Sequence, residues 1–180
     1  MTPPALRRVF SARHAGRWAI VLKTPHRLDL HLTAREIGAA RMVPFLRRHI
    51  RSAHAMIASP LVELSIALVG DEEMSHLHQR FLDKSGPTDV LSFVLAQDGD
   101  DRPTSGEVVV CLPHARRRVA RNRLSLRVEV LLYCLHGMLH LSGYDDRSPR
   151  EYEIMHRTED DILSRLGLPA AFALGSRVSP

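Results

Sequence analysis

The chain has 180 residues, 44% of them hydrophobic and 25% charged, with a formal net charge of +5. That mix belongs to a globular domain with enough apolar material for its own core, and it excludes collagenous and disordered classes. No apolar run reaches the roughly 18–20 residues of a membrane-spanning helix, so no membrane partner is expected.

Residues 1–16 read as a basic tail. Residues 1–55 hold 11 Lys and Arg against 2 Asp and Glu, whereas residues 56–180 hold 14 against 18. The N-terminus lacks the apolar core of a signal peptide, and a cytoplasmic protein is expected. Trp18–Leu22 is a short apolar run that predicts the first strand; Leu28–Leu32, which alternates apolar and polar, competes for that role. Thr33-Ala34-Arg35-Glu36 fits a capping box, predicting a helix to about Ser52 that Pro44 kinks or splits. Leu61–Val69 is the second strand and Gly70 ends it. Asp71 is placed as the N-cap of a helix reaching Leu82, with Glu72 and Glu73 in its first turn favouring the dipole.

Ser85-Gly86-Pro87 marks a turn, Val90–Leu95 the third strand, residues 97–106 an acidic loop, and Val108–Leu112 the fourth strand. Pro113 opens a basic helix. Arg116, Arg117, Arg118, Arg121, Arg123 and Arg127 follow one another with no acid between, a pattern that suits a polyanion through counterion release. Only Lys23 and Lys84 among the 25 basic residues are lysine. An arginine-biased genome therefore accounts for part of this excess, and charge alone weighs nucleic acid and plain solvated faces equally. Leu126–Leu141 is a helix with Val128, Leu132, Leu135 and Leu139 on one apolar stripe, stopped by Gly143. Ser148-Pro149-Arg150-Glu151 is another capping box, opening a helix that Gly167 and Pro169 close after Leu166. Residues 169–180 read as a C-terminal tail. No linker divides residues 17–168. The reading is one α/β (α+β) domain, a mixed four-stranded sheet packed with about five helices. Cys111 and Cys134 lack CxxC spacing and are expected to be buried free thiols.

His136 and His140 stand i, i+4 on the Leu126–Leu141 helix, so their imidazoles lie one turn apart on one face, at the border of the apolar stripe. After Gly143 the turn Tyr144-Asp145-Asp146 brings the Asp146 carboxylate back towards both rings. Two neutral nitrogens and one carboxylate oxygen fill three positions of a tetrahedral zinc ion and leave the fourth for water. In a chain with 11 His an HxxxH pair alone carries little; the helix, the glycine break and the acidic turn together raise the metal reading. Gly137 stands where an HExxH metalloprotease has its general-base glutamate, which disfavours that class. Two histidines and a carboxylate also suit a non-haem iron site, and ligand types leave it open.

Residues 136–146, His-Gly-Met-Leu-His-Leu-Ser-Gly-Tyr-Asp-Asp, closely resemble the signature HGxLHLxGYDH of the bacterial rRNA maturation endoribonucleases of YbeY type. Pro87-Thr88-Asp89-Val90-Leu91-Ser92-Phe93 resembles that family's PT(D/N)VLSF block. Gly106-Glu107-Val108-Val109-Val110-Cys111 is similar to its G(D/E)IVI(C/S) strand, and Glu63-Leu64-Ser65-Ile66 to its second strand. The resemblance runs from about Trp18 to Leu168. It implies one zinc ion per chain, activating a water, with single-stranded RNA as substrate. It further implies maturation of the 3′ end of small-subunit (16S) rRNA, ribosome quality control, and rRNA with the ribosome or ribosomal proteins as partners. His136 and His140 map to the family's first two ligands. The third is histidine in most members and Asp146 here. A carboxylate lowers the site's charge by one unit, weakens the Lewis acid and favours harder ions. The sequence also departs at His78, where the family often has Asn, at Leu82, where some members have Arg, and at Val94, where it has Pro.

Arg80, Arg116, Arg117 and Arg121 are candidates for neutralising the phosphodiester, and Asp145 for orienting a histidine N–H. Two other classes stay open. One is an rRNA or ribosome assembly factor whose metal clamps helix to loop. The other is a metal hydrolase of another substrate. With aromatics at 5%, stacking platforms are sparse, which favours a grip on the backbone over base recognition.

Overall fold

The computed structural model describes residues 27–120 and 124–172. Trp18–Leu22 and Arg121 lie outside the described residues. Four strands form one sheet: β1 (Asp29–Ala34), β2 (Glu63–Val69), β3 (Val90–Gln97) and β4 (Pro103–Cys111). Their spatial order is β1-β2-β4-β3, with β1, β2 and β4 parallel and β3 antiparallel to β4. The helices are α1 (Val43–Ile57), α2 (Asp71–Leu82), α3 (Leu112–Val119), α4 (Leu126–Leu141) and α5 (Pro149–Arg165). This is the mixed four-stranded α/β architecture expected.

Strand alternation divides the core. Leu64, Ile66, Leu68, Val108 and Val110 face one side with α1, α3, α4 and α5; Ala67, Val69, Val109 and Cys111 face the other, where α2 contributes Met74, Leu77 and Phe81. The single apolar stripe expected for α4 understates its burial. Every residue from Val128 to Leu135 is buried, as are Gly137–Leu139 and Leu141. The helix is enclosed by the sheet on one side and by α1, α3 and α5 around it, so buried residues, Glu129 among them, occupy most of its circumference.

Several boundaries differ from the sequence expectation. Thr33 and Ala34 do not cap a helix; they complete β1 opposite Ala67 and Leu68, and the Arg35 and Glu36 amides both donate to the Leu68 carbonyl. The Glu36 carboxylate pairs with Arg116 instead. The chain turns at Gly38 (φ 82), makes a short 3-10 turn at Ala39–Met42 and only then enters α1. Pro44 sits in the first turn of that helix, where its missing N–H costs nothing, and so it starts the helix rather than kinking it. Gly70, not Asp71, is the N-cap of α2. The acidic loop is a tight hairpin: Asp98 accepts the Asp100 and Arg102 amides and the Arg102 guanidinium. Pairing to β2 and β3 on both sides extends β4 back to Pro103 through a polar stretch. Both cysteines are free and buried, and burial pushes each thiol up to about 12.

Candidate metal centre

The centre is built on the last two turns of α4. His136 and His140 present their rings edge to face, with Nε2 atoms 3.1 Å apart. Gly137 sets how deep they sit. A Cβ there would lie 2.7 Å from the Val108 Cγ1 atom, so only glycine lets α4 lie this close to β4. Beyond Leu141 the chain reverses at Gly143 (φ 93), with the Ser142 and Tyr144 amides donating to the Leu139 carbonyl. This turn delivers Asp146. Its Oδ2 lies 3.7 Å from His136 Nε2 and its Oδ1 3.9 Å from His140 Nε2.

The other side of each ring decides what the site can hold. His136 Nδ1 lies 2.9 Å from the Glu159 carboxylate, and His140 Nδ1 lies 3.1 Å from the Tyr144 carbonyl. Both partners only accept, so each Nδ1 carries the proton. Each Nε2 therefore turns a bare lone pair towards the other at 3.1 Å, an arrangement that repels unless a cation lies between. In a tetrahedral site with bonds of about 2.0–2.1 Å, neighbouring ligand atoms lie roughly 3.3 Å apart. The three separations here, 3.1, 3.7 and 3.9 Å, lie close to that edge. The donor set fits a divalent cation of borderline softness. Among the described residues a second grouping, His136 with His156 and Glu159, shares one ring but is buried at its other two members, whereas His136, His140 and Asp146 are all partly exposed.

The charges agree with this arrangement. Burial depresses His136, but the Glu159 hydrogen bond and the charges of Glu159, Asp146 and Asp89 prevail and hold it above the ordinary imidazole value. His140 is lowered, by burial first and by His136 next. A cation is thus favoured at His136 and a second proton on the pair is opposed.

The family model described as endoribonuclease YbeY matches residues 31–167. The chain belongs to this family. A Frankia alni protein described as endoribonuclease YbeY is 40% identical over 135 residues, covering 68% of this chain and 74% of that one. One from Geobacillus thermodenitrificans is 31% identical over 139 residues, covering 72% and 89%. The solution structure of a Thermotoga maritima protein covers 83% of this chain and 96% of its own, with a TM-score of 0.55 and 21% identity; that likeness concerns the fold.

Of the residues singled out from the sequence, His136, His140 and Asp146 come together. Asp145 does not reach a ring: it accepts the Asp146 amide and holds the turn, with Arg147 beside it. Arg117 makes two bonds to Asp71, at 2.7 and 2.9 Å, and Arg116 donates to Glu36 and to the Ile37 carbonyl. These arginines tie α3 to the start of α2 and to the segment after β1. Arg80 is exposed on α2, over the Phe81 ring and on the sheet face away from α4. His78 donates to or accepts from nothing in the centre; its Nδ1 meets the Gly86 carbonyl. His114 approaches Tyr133. Two residues near the centre escaped sequence reasoning as individuals. Asp89 lies inside the Pro87–Phe93 block and its charge reaches His136. Glu159 is fully buried on α5, in a Glu-Asp-Asp run that reads as a solvated face.

Proposed function

We propose that this YbeY-family chain is a zinc-dependent endoribonuclease that cleaves single-stranded RNA, acting in maturation of the 3′ end of small-subunit rRNA and in ribosome quality control in the cytoplasm. The catalytic domain is residues 17–168, flanked by a basic N-terminal tail and a C-terminal tail. The observation that carries this reading is the pair of facing Nε2 atoms, 3.1 Å apart, with the Asp146 carboxylate beside them. His136, His140 and Asp146 would hold the ion. When bound, zinc supplies Lewis-acid polarisation of a water or a phosphoryl oxygen.

The chain's own residues orient and tune. The Tyr144 carbonyl fixes the His140 ring. Asp146 brings one negative charge, which offsets part of the ion's charge and moderates its acidity. Asp89 adds a further negative field at His136, beside those of Glu159 and Asp146. Arg80, Arg116 and Arg117 are exposed and, with Arg121, are the proposed contacts for RNA phosphates; Arg116 and Arg117 would share their guanidinium groups with the carboxylates they already bind. The partial exposure of all three donors favours catalysis over a clamp, because a catalytic zinc site keeps a position for water whereas a structural one closes it with a protein ligand.

The test is metal content together with single-stranded RNA cleavage, on the parent protein and on Asp146→Ala and Asp146→His. One zinc per chain is expected in the parent. In Asp146→Ala both zinc and cleavage should fall to background, and in Asp146→His both should be kept. Zinc retained with no cleavage by any form would move the assignment to an assembly factor with a structural metal.

A further inference from the structure

Glu159 is the most enclosed ionisable side chain beside the centre, with 0% exposure. Its two oxygens are divided: Oε1 lies 2.9 Å from His136 Nδ1 and Oε2 lies 2.8 Å from His156 Nδ1. His156 is itself buried. The Tyr152 ring meets it edge-on at 4.0 Å, Phe172 stacks on it at 5.5 Å, and the His136 ring stacks at 6.0 Å. Phe172 is held in turn, because Asp160 accepts the Ala171 and Phe172 amides. A buried carboxylate on α5 adds nothing to apolar packing that a leucine would not supply at lower desolvation cost. What it adds is an acceptor for two ring N–H groups at once.

We propose that Glu159 is a positioning residue. Shared between His136 and His156, its carboxylate selects the Nδ1–H tautomer of His136 and so keeps Nε2 bare for the metal ion. The idea rests on the metal reading of the site. His140 gets the same service from the Tyr144 carbonyl, which no side-chain substitution removes; the His136 partner is replaceable and can be tested. Glutamine in its place offers one acceptor oxygen for two N–H donors and turns its NH2 group towards one of the rings. A ring facing that NH2 must move its proton to Nε2. Such partners of metal-bound histidines are worth about 10–100-fold in metal affinity.

The experiment compares the full chain with Glu159→Gln and Glu159→Asp at one fixed alkaline pH, where the His136 ring is neutral in every form despite the raising effect of Glu159. Zinc affinity is read by competition with a chromophoric chelator. The His136 tautomer is read separately by ring-nitrogen NMR of the zinc-free protein. The parent should show His136 as Nδ1–H. Glu159→Gln should lose that single tautomer and bind zinc about 10–100-fold more weakly, while urea unfolding stays cooperative. Glu159→Asp, which keeps the charge, should recover part of both. A folded Glu159→Gln with His136 still wholly Nδ1–H and zinc affinity within about twofold of the parent overturns the proposal. If Glu159→Gln does not fold, Glu159→Asp is judged by the same two readings against the parent. A parent that binds no zinc sinks the metal reading instead, and the tautomer comparison still decides what Glu159 does.

Discussion

Gly137 occupies the middle of the motif for a packing reason. A methyl group added there meets both Val108 methyls, at 2.7 and 2.9 Å, and Val108 is fully buried and stiff at χ1. Alanine gains about 1 kcal/mol in helix propensity, but overpacking a tight core costs about 1–3 kcal/mol. Gly137→Ala should therefore destabilise the fold by about 1 kcal/mol net. It should also weaken zinc binding, because α4 must lift from β4 and carry His136 with it. Val108→Ala combined with Gly137→Ala should cost less than the sum of the two single changes, as read by urea unfolding. The metal ligands were legible from the i, i+4 histidine spacing taken together with the glycine break and the acidic turn, since helical geometry makes such a pair converge and the turn returns a carboxylate to it. Glu159 was not. Its partner His136 lies 23 positions away, and an acid in Glu-Asp-Asp gives no sign that one of the three points inward.

At the level of elements, helices with chemical punctuation were readable and those started by tertiary contacts were not. The α5 capping box forms as read: the Ser148 side chain accepts the Glu151 amide, and Glu151 reaches back to the Ser148 amide. Ser148→Ala should cost about 1 kcal/mol of stability, measurable as a shifted urea midpoint with unchanged slope. It should also loosen zinc binding, because Asp146 lies two residues before the cap. The Thr33–Glu36 pattern satisfies the same rule and fails, because backbone pairing of Thr33 and Ala34 to β2 wins over a local cap. Gly70 displaced Asp71 as the α2 cap because the Asp71 carboxylate is drawn to Arg117 and the Cys111 thiol, which also holds its pKa below the ordinary carboxylate value. The far end of β4 was hidden because its pairing partners, not its own apolar content, make it a strand.

Across the molecule, α1 is tied to the start of β2 by His54, whose buried Nε2 lies 2.8 Å from the Leu61 carbonyl. Burial lowers its pKa, against the smaller effect of that hydrogen bond. The unfolded chain then binds a proton at this position more readily than the fold does. The neutral ring's contribution is fully present above the ordinary value of 6.5 and is lost as pH falls below it towards the lowered folded value. Urea unfolding at pH 7.5 and 5.5 should show a smaller decline in His54→Gln than in the parent. No helix among the described residues is long and apolar enough to cross a membrane.

All three donors of the metal centre fall within positions 136–146, on one helix end and the turn after it. The chelate ring closed by an ion is therefore short, and its closure entropy is small. None of the sheet's pairings has to break for the turn to open. Loss and recovery of the ion then become a local breathing motion rather than a refolding event. A chelator should strip the protein on the timescale of that opening, raising amide hydrogen exchange at residues 142–147 while exchange in β2 and β4 stays slow.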